Sequence, residues 1–149
     1  MQRKGLTRFI AVCLLSGYVW LAVGGAVLAW TGSLLPGSAG YDAALHALLL
    51  GFVFAMVFGH APIILPAVLK VLVPYHPLFY ASLIVLHASL LLRLGGDALG
   101  VHELRSWGGM GNLIALLIFI ANTVTAVLRG RVNVNAPRAA APARPPPTL

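Results

Sequence analysis

The chain has 149 residues, of which 60% are hydrophobic and only 9% charged, with a mean hydropathy of +0.93. A soluble domain carries about 25% charged residues, so the composition excludes an ordinary water-exposed fold and points to an all-α integral membrane protein. The net charge of +7 does not signal a nucleic-acid partner: the basic residues stand at segment ends, where membrane topology is set, not in a stripe among aromatics.

Residues 1–8, MQRKGLTR, form a basic N-terminus, and Phe9 to Trp30 follow without a charge. That run exceeds the apolar core of a secretory signal, about 7–15 residues, and ends on an interface-favouring Trp. It predicts a retained transmembrane helix over about 9–30. Cys13 lies within it as the only cysteine, which rules out a disulfide inside the chain. Val12 before it fits a lipoprotein cleavage site poorly, so a packed thiol is expected.

TGSLLPGSAG (31–40) reads as a Gly/Pro/Ser loop. A second helix is expected over about 42–64, because Ala43 to Ile64 carries no charged residue. About 20 apolar residues at 1.5 Å each cover a hydrocarbon core roughly 30 Å thick. Pro62 and Pro66 lack amide donors and are expected to kink or end this helix. A third helix is expected over about 77–96, with Pro77 in its first turn and Arg93 near its end, four residues from Asp97. GGDALGVHELRS reads as a polar loop, and a fourth helix is expected over about 107–128. Residues 129–149 are basic and rich in Pro and Ala, which predicts a disordered tail.

The basic residues divide unevenly. Arg3, Lys4, Arg8, Lys70, Arg129, Arg131, Arg138 and Arg144 fall on one side, whereas Arg93 and Arg105 fall on the other with Asp42, Asp97 and Glu103. The positive-inside rule then puts both termini in the cytoplasm. The expectation is a four-helix bundle, N-in and C-in, in the cytoplasmic (inner) membrane.

Within the second helix, His46 and His60 are fourteen residues apart, about 40° short of four full turns, so both should project from nearly one face. Gly51, Ala55 and Gly59 form a ladder of small residues on another face, where a neighbouring helix can pack closely. The remaining segments are expected to enclose this helix.

The chain has no phosphate loop, no paired intramembrane carboxylates and no nucleophile with an evident base, so catalysis by this chain alone is not expected. Neither an internal repeat nor a charged pathway supports a transporter. The histidines remain. His46, His60 and His87 fall within helices, and in apolar surroundings their neutral form is favoured, which is also the form that binds haem iron or copper. At 1.5 Å per residue, His46, His87 and His60 lie roughly 6, 14 and 27 Å below the outer boundary. His46 and His87 are therefore the better pair to share one haem or metal, with His60 a further candidate. The alternative is structural: a histidine that hydrogen-bonds to a backbone carbonyl or to Asn112, Asn122 or Thr125 across a helix interface. His76, between prolines and Tyr75, reads as an interface anchor, and His102 as a solvated loop residue.

His46-Ala47-Leu48, Gly51, Met56 and Gly59-His60 resemble a histidine-bearing helix of the NnrS family, multi-helix membrane proteins linked to nitric-oxide stress and to haem and copper. The spacing of His46, Gly51-Phe52, Gly59 and Pro66 is also similar to helices of proteins related to haem-copper oxidase subunit I. Leu91-Leu92-Arg93 before a Gly/Ala-rich turn and an apolar helix looks like the end of an NnrS-type module. The resemblance spans about Tyr41 to Val127 and implies a ligand role for His46 and for His60. Two functions follow as expectations. One is a haem- or copper-binding membrane protein in redox, sensing or NO/O2-related accessory work, alone, as a homo-oligomer or beside another membrane redox subunit. The other is a non-catalytic scaffold or accessory subunit whose histidines only pack.

Overall fold

The computed structural model describes residues 2–32, 35–70 and 75–135, with side chains described for all of these except 2–3 and 131–135. Four helices make up the fold: α1 (Gln2–Thr31), α2 (Ala39–Leu69), α3 (Phe79–Leu99) and α4 (His102–Asn135). Each is long and apolar enough to cross a bilayer. No strand occurs among the described residues.

The helix ends follow local chemistry. Gly32 adopts φ +59 just beyond α1, a conformation that costs glycine nothing. The Ser38 hydroxyl caps α2 by accepting the Tyr41 amide at 3.2 Å, and Asp42 sits in the first turn, where the helix dipole favours an anion. At the start of α3 the amides of Phe79, Tyr80 and Ala81 bond to the carbonyls of His76, Pro77 and Leu78 at 3.0–3.1 Å. Gly100, at φ +67, closes α3, and only Gly100 and Val101 separate it from α4. The two helices must therefore form an antiparallel hairpin.

Several boundaries differ from the sequence expectation. α1 begins inside the basic N-terminus, so Lys4 and Arg8 ride on its first turns. α2 runs through Pro62 and Pro66 to Leu69 instead of ending there, and Lys70 stops it in a left-handed conformation (φ 52). Two missing amide donors leave two carbonyls unbonded, whereas ending the helix would unpair a whole turn in apolar surroundings. The supposed polar loop is mostly helix: 95–99 finish α3, and His102 opens α4. α4 also extends through Arg129 to Asn135, so that part of the expected disordered tail is helical; 136–149 lie outside the described residues.

α2 is not a uniform α-helix. Ala39–His46 and Phe54–Leu69 are α-helical, but Ala47–Val53 is π-helical, with the Phe54 amide bonded five residues back to Leu49. Each residue added to a turn rotates the downstream helix by about 100°. His46 and His60 therefore do not share a face: His46 is half-buried among charged residues and His60 is exposed.

Small residues set the packing. On α1 and α2, antiparallel partners meet at Cys13 with Gly59, Gly17 with Ala55 and Met56, Trp20 with Gly51, and Gly24 with Ala47 and Leu48. On α3 and α4, Gly111 lies against Ser89, Gly108 against Arg93 and Gly96 against Arg105. The core draws on all four helices through Phe9, Cys13, Ala55, Phe58, Leu86 and Ala115. Phe119 of α4 stacks on Phe58 of α2 at 4.1 Å. α3 is the inner helix: 39% of its most apolar stretch is buried, against 28% for α2 and 22% for α1 and α4. The helix expected to be enclosed, α2, thus ranks second. Leu15, Ile84, Leu91 and Leu117 face outward at 56–70% exposure.

Candidate functional site

Polar groups enter this apolar body in three layers along α3. The outermost joins the first turn of α2 to the end of α3 and the start of α4. Arg93 donates from Nη2 to Asp42 Oδ2 at 2.8 Å, and Arg105 Nη2 reaches the same oxygen at 3.4 Å. Arg105 Nε lies 2.6 Å from Asp97 Oδ1, an ion pair whose N–H is not aligned as a hydrogen bond. Two carboxylates and two guanidinium groups leave the cluster neutral. His46 joins it by donating from Nδ1 to the Asp42 carbonyl at 2.7 Å, with Asp42 Oδ1 3.5 Å away. Arg93 and Asp97 stand four residues apart on α3, yet each pairs with a residue of another helix, Arg93 with Asp42 and Asp97 with Arg105.

One turn deeper, Ser89 donates to Asn112 Oδ1 at 2.6 Å and joins α3 to α4. Below that, Trp20 of α1 donates from Nε1 to His87 Nδ1 at 3.1 Å. Trp20, Ala47 and Leu90 share one buried cluster. His46 is therefore about level with Leu91, and His87 lies about 6 Å deeper at 1.5 Å per residue.

The partners fix the protons. Indole N–H only donates, so neutral His87 keeps Nδ1 bare and carries its proton on Nε2, which is buried with no partner among the described residues. A carbonyl only accepts, so neutral His46 carries its proton on Nδ1 and has its lone pair on Nε2. His60 is arranged likewise, with Nδ1 2.7 Å from the Met56 carbonyl, but it is exposed beside an apolar groove formed by Met56, Val57, Ala61, Ile64 and Leu65. Metal ligation through Nε2 suits the tautomer of His46 and His60; at His87 it requires the Trp20 bond to be given up.

His76 Nδ1 accepts the Leu78 amide at 3.2 Å, and exposed His102 lies 3.4 Å from Ser106 on α4. Asn122 and Thr125 bond to the carbonyls of Leu78 and Ala121, so neither they nor Asn112 partner a histidine. Sequence reasoning missed Trp20, Ser89 and the bridging role of Asp42. A tryptophan deep in an apolar helix, away from the interface, was the available signal, since its N–H needs an acceptor. Among the described residues, no three His, Cys, Asp or Glu side chains cluster so as to hold a metal ion.

No curated protein and no solved structure matches the chain. A family model matches residues 1–128, and the chain belongs to that family, described as a domain of unknown function (DUF8744).

Proposed function

We propose that the chain is a multi-pass protein of the cytoplasmic membrane, both termini cytoplasmic, that serves as a non-catalytic scaffold or accessory subunit. The observation that carries this reading is that the polar side chains that enter the apolar body turn toward one another across helices. Asp42 with Arg93 and Arg105, Ser89 with Asn112, and Trp20 with His87 each tie two or three helices together. Intramembrane polar pairs of this kind fix helix arrangement. The outward-facing Leu, Ile and Val side chains support a lipid surround.

A second reading, haem or copper binding, is favoured by the Nε2 lone pairs of His46 and His60. His87 supports it less, because its proton sits on Nε2. The resemblance over Tyr41 to Val127 points the same way. One measurement separates the two: the visible absorption spectrum and metal content of protein purified from its own membranes. The scaffold reading expects no haem band and no stoichiometric copper. A band abolished or shifted by His46→Ala, and unchanged by His102→Ala, replaces it with the cofactor reading.

A further inference from the structure

At the end of the molecule opposite the Asp42 cluster, a cleft of about 320 Å³ opens between the start of α3 and the end of α4. Tyr75, His76, Asn122, Thr125 and Arg129 supply its polar wall, and Leu78, Phe79 and Ala126 its apolar one. Its volume falls within the range of small-ligand clefts, about 300–1,000 Å³.

Charge is segregated along the molecule. The chain has only three acidic residues, and all belong to the other end: Asp42 in the first turn of α2, Asp97 near the end of α3, and Glu103 in the first turn of α4. Arg129 forms no ion pair among the described residues, and Lys4, Arg8 and Lys70 share its end. No acidic side chain of this chain is available there as a counter-charge.

The donors are in place. The Leu78 amide occupies His76 Nδ1, so neutral His76 carries its proton on Nε2 and can donate outward. Burial, and then neighbouring Tyr80, raise the Tyr75 pKa, and its hydroxyl is engaged with Tyr80, so Tyr75 lines the wall without a free donor. The first amides of α3 are already bonded to carbonyls three residues back, so binding chemistry rests on side chains.

We propose that this cleft binds the phosphate group of an anionic lipid headgroup, with Arg129 as the charged contact and His76 as a further donor. Of the apolar wall, Phe79 and Ala126 are buried and Leu78 is exposed, so an acyl chain would lie against Leu78. A guanidinium matches phosphate geometry in two parallel hydrogen bonds, and basic pockets on the cytoplasmic side of membrane helices suit such headgroups. The proposal rests on the reading that the helices span a bilayer.

The test uses full-length protein in phosphatidylcholine bilayers with and without phosphatidylglycerol, reading retained lipid by native mass spectrometry. Preferential retention of phosphatidylglycerol is expected. Arg129→Gln and Thr125→Glu should each lower it more than about tenfold, against the fivefold or so of a single diffuse surface charge. Arg129→Lys should keep part of it, and Lys70→Gln should stay within the diffuse range. Equal losses in Arg129→Gln and Lys70→Gln, or no preference in the wild type, overturn the proposal. Release of the lipid by inorganic phosphate alone assigns the cleft to free phosphate and overturns the lipid source. Extraction of the chain from membranes by alkaline carbonate sinks the membrane reading itself, whereas a retained chain without lipid preference sinks only this proposal.

Discussion

Trp20 of α1 and His87 of α3 meet through an Nε1–H···Nδ1 hydrogen bond of 3.1 Å, over the backbone of Gly51 on α2. Three helices are thereby fixed at one level, since the indole can reach His87 only because Gly51 has no side chain. Trp20→Phe keeps the ring and removes the donor. Combined with His87→Leu in a double-mutant cycle, it should show a coupling of about 0.6–1.7 kcal/mol, the range for hydrogen bonds between membrane helices. Additive losses in thermal unfolding would mean that the bond contributes nothing.

Asp42 is the shared acceptor of two arginines, so its loss should be felt more than that of either partner. Asp42→Asn leaves Arg93 and Arg105 facing a neutral amide. Its cost should fall between the ~1 kcal/mol of exposed ion pairs and the ~3–5 kcal/mol of breaking a fully buried one. The lower half of that range is expected, because the Arg93 and Asp42 side chains remain 18% and 27% exposed. Adding Arg93→Gln should cost little more, since the pair is already broken. Unfolding of the two variants in detergent measures both values; equal stability of Asp42→Asn and wild type rejects the bridging role.

Much of the fold was legible because a charge-free run of about 20 residues has few other stable fates. What lay between helices was not. Nothing local to Arg93 says that its partner is Asp42, 51 residues away, when Asp97 stands four residues along the same helix. Pro62 and Pro66 read as a kink or an end because proline disfavours helix locally, yet the helix runs on to Leu69, since ending it would leave a whole turn unpaired in apolar surroundings. The π-helical stretch also left no sequence mark. It spoiled the inference that His46 and His60 share a face, which assumed a constant 3.6 residues per turn. The histidine candidates were found from residue type alone, but their tautomers depend on partners that only the packed helices supply.

Topology can be checked directly. The end bearing Lys4, Arg8, Lys70 and Arg129 should face the cytoplasm, with the Asp42 cluster on the far side. Reporter fusions at Gly130 and near Gly37 should therefore report opposite compartments, the first cytoplasmic. Activity of both reporters on one side rejects the arrangement.

The glycines give the sharpest contrast, because identical substitutions have opposite expected signs. A methyl group at Gly108 would lie 2.6 Å from the Arg93 backbone nitrogen and 2.7 Å from its Cα, atoms that cannot swing aside. Gly108→Ala should force α3 and α4 apart and cost about 1–3 kcal/mol. At Gly51 the obstacle is Trp20, whose Cβ would be 2.6 Å away. Gly51→Leu should cost a similar amount and also disturb the Trp20–His87 bond, visible as a change in indole fluorescence. Gly25 sits in the same apolar α1 but has nothing within 4 Å. Gly25→Ala should therefore stabilise by about 0.5–1 kcal/mol through restricted backbone freedom alone. Circular dichroism melts of the three variants decide the matter. Should Gly108→Ala melt at or above the wild-type temperature, α3 and α4 do not approach each other as closely as this packing requires.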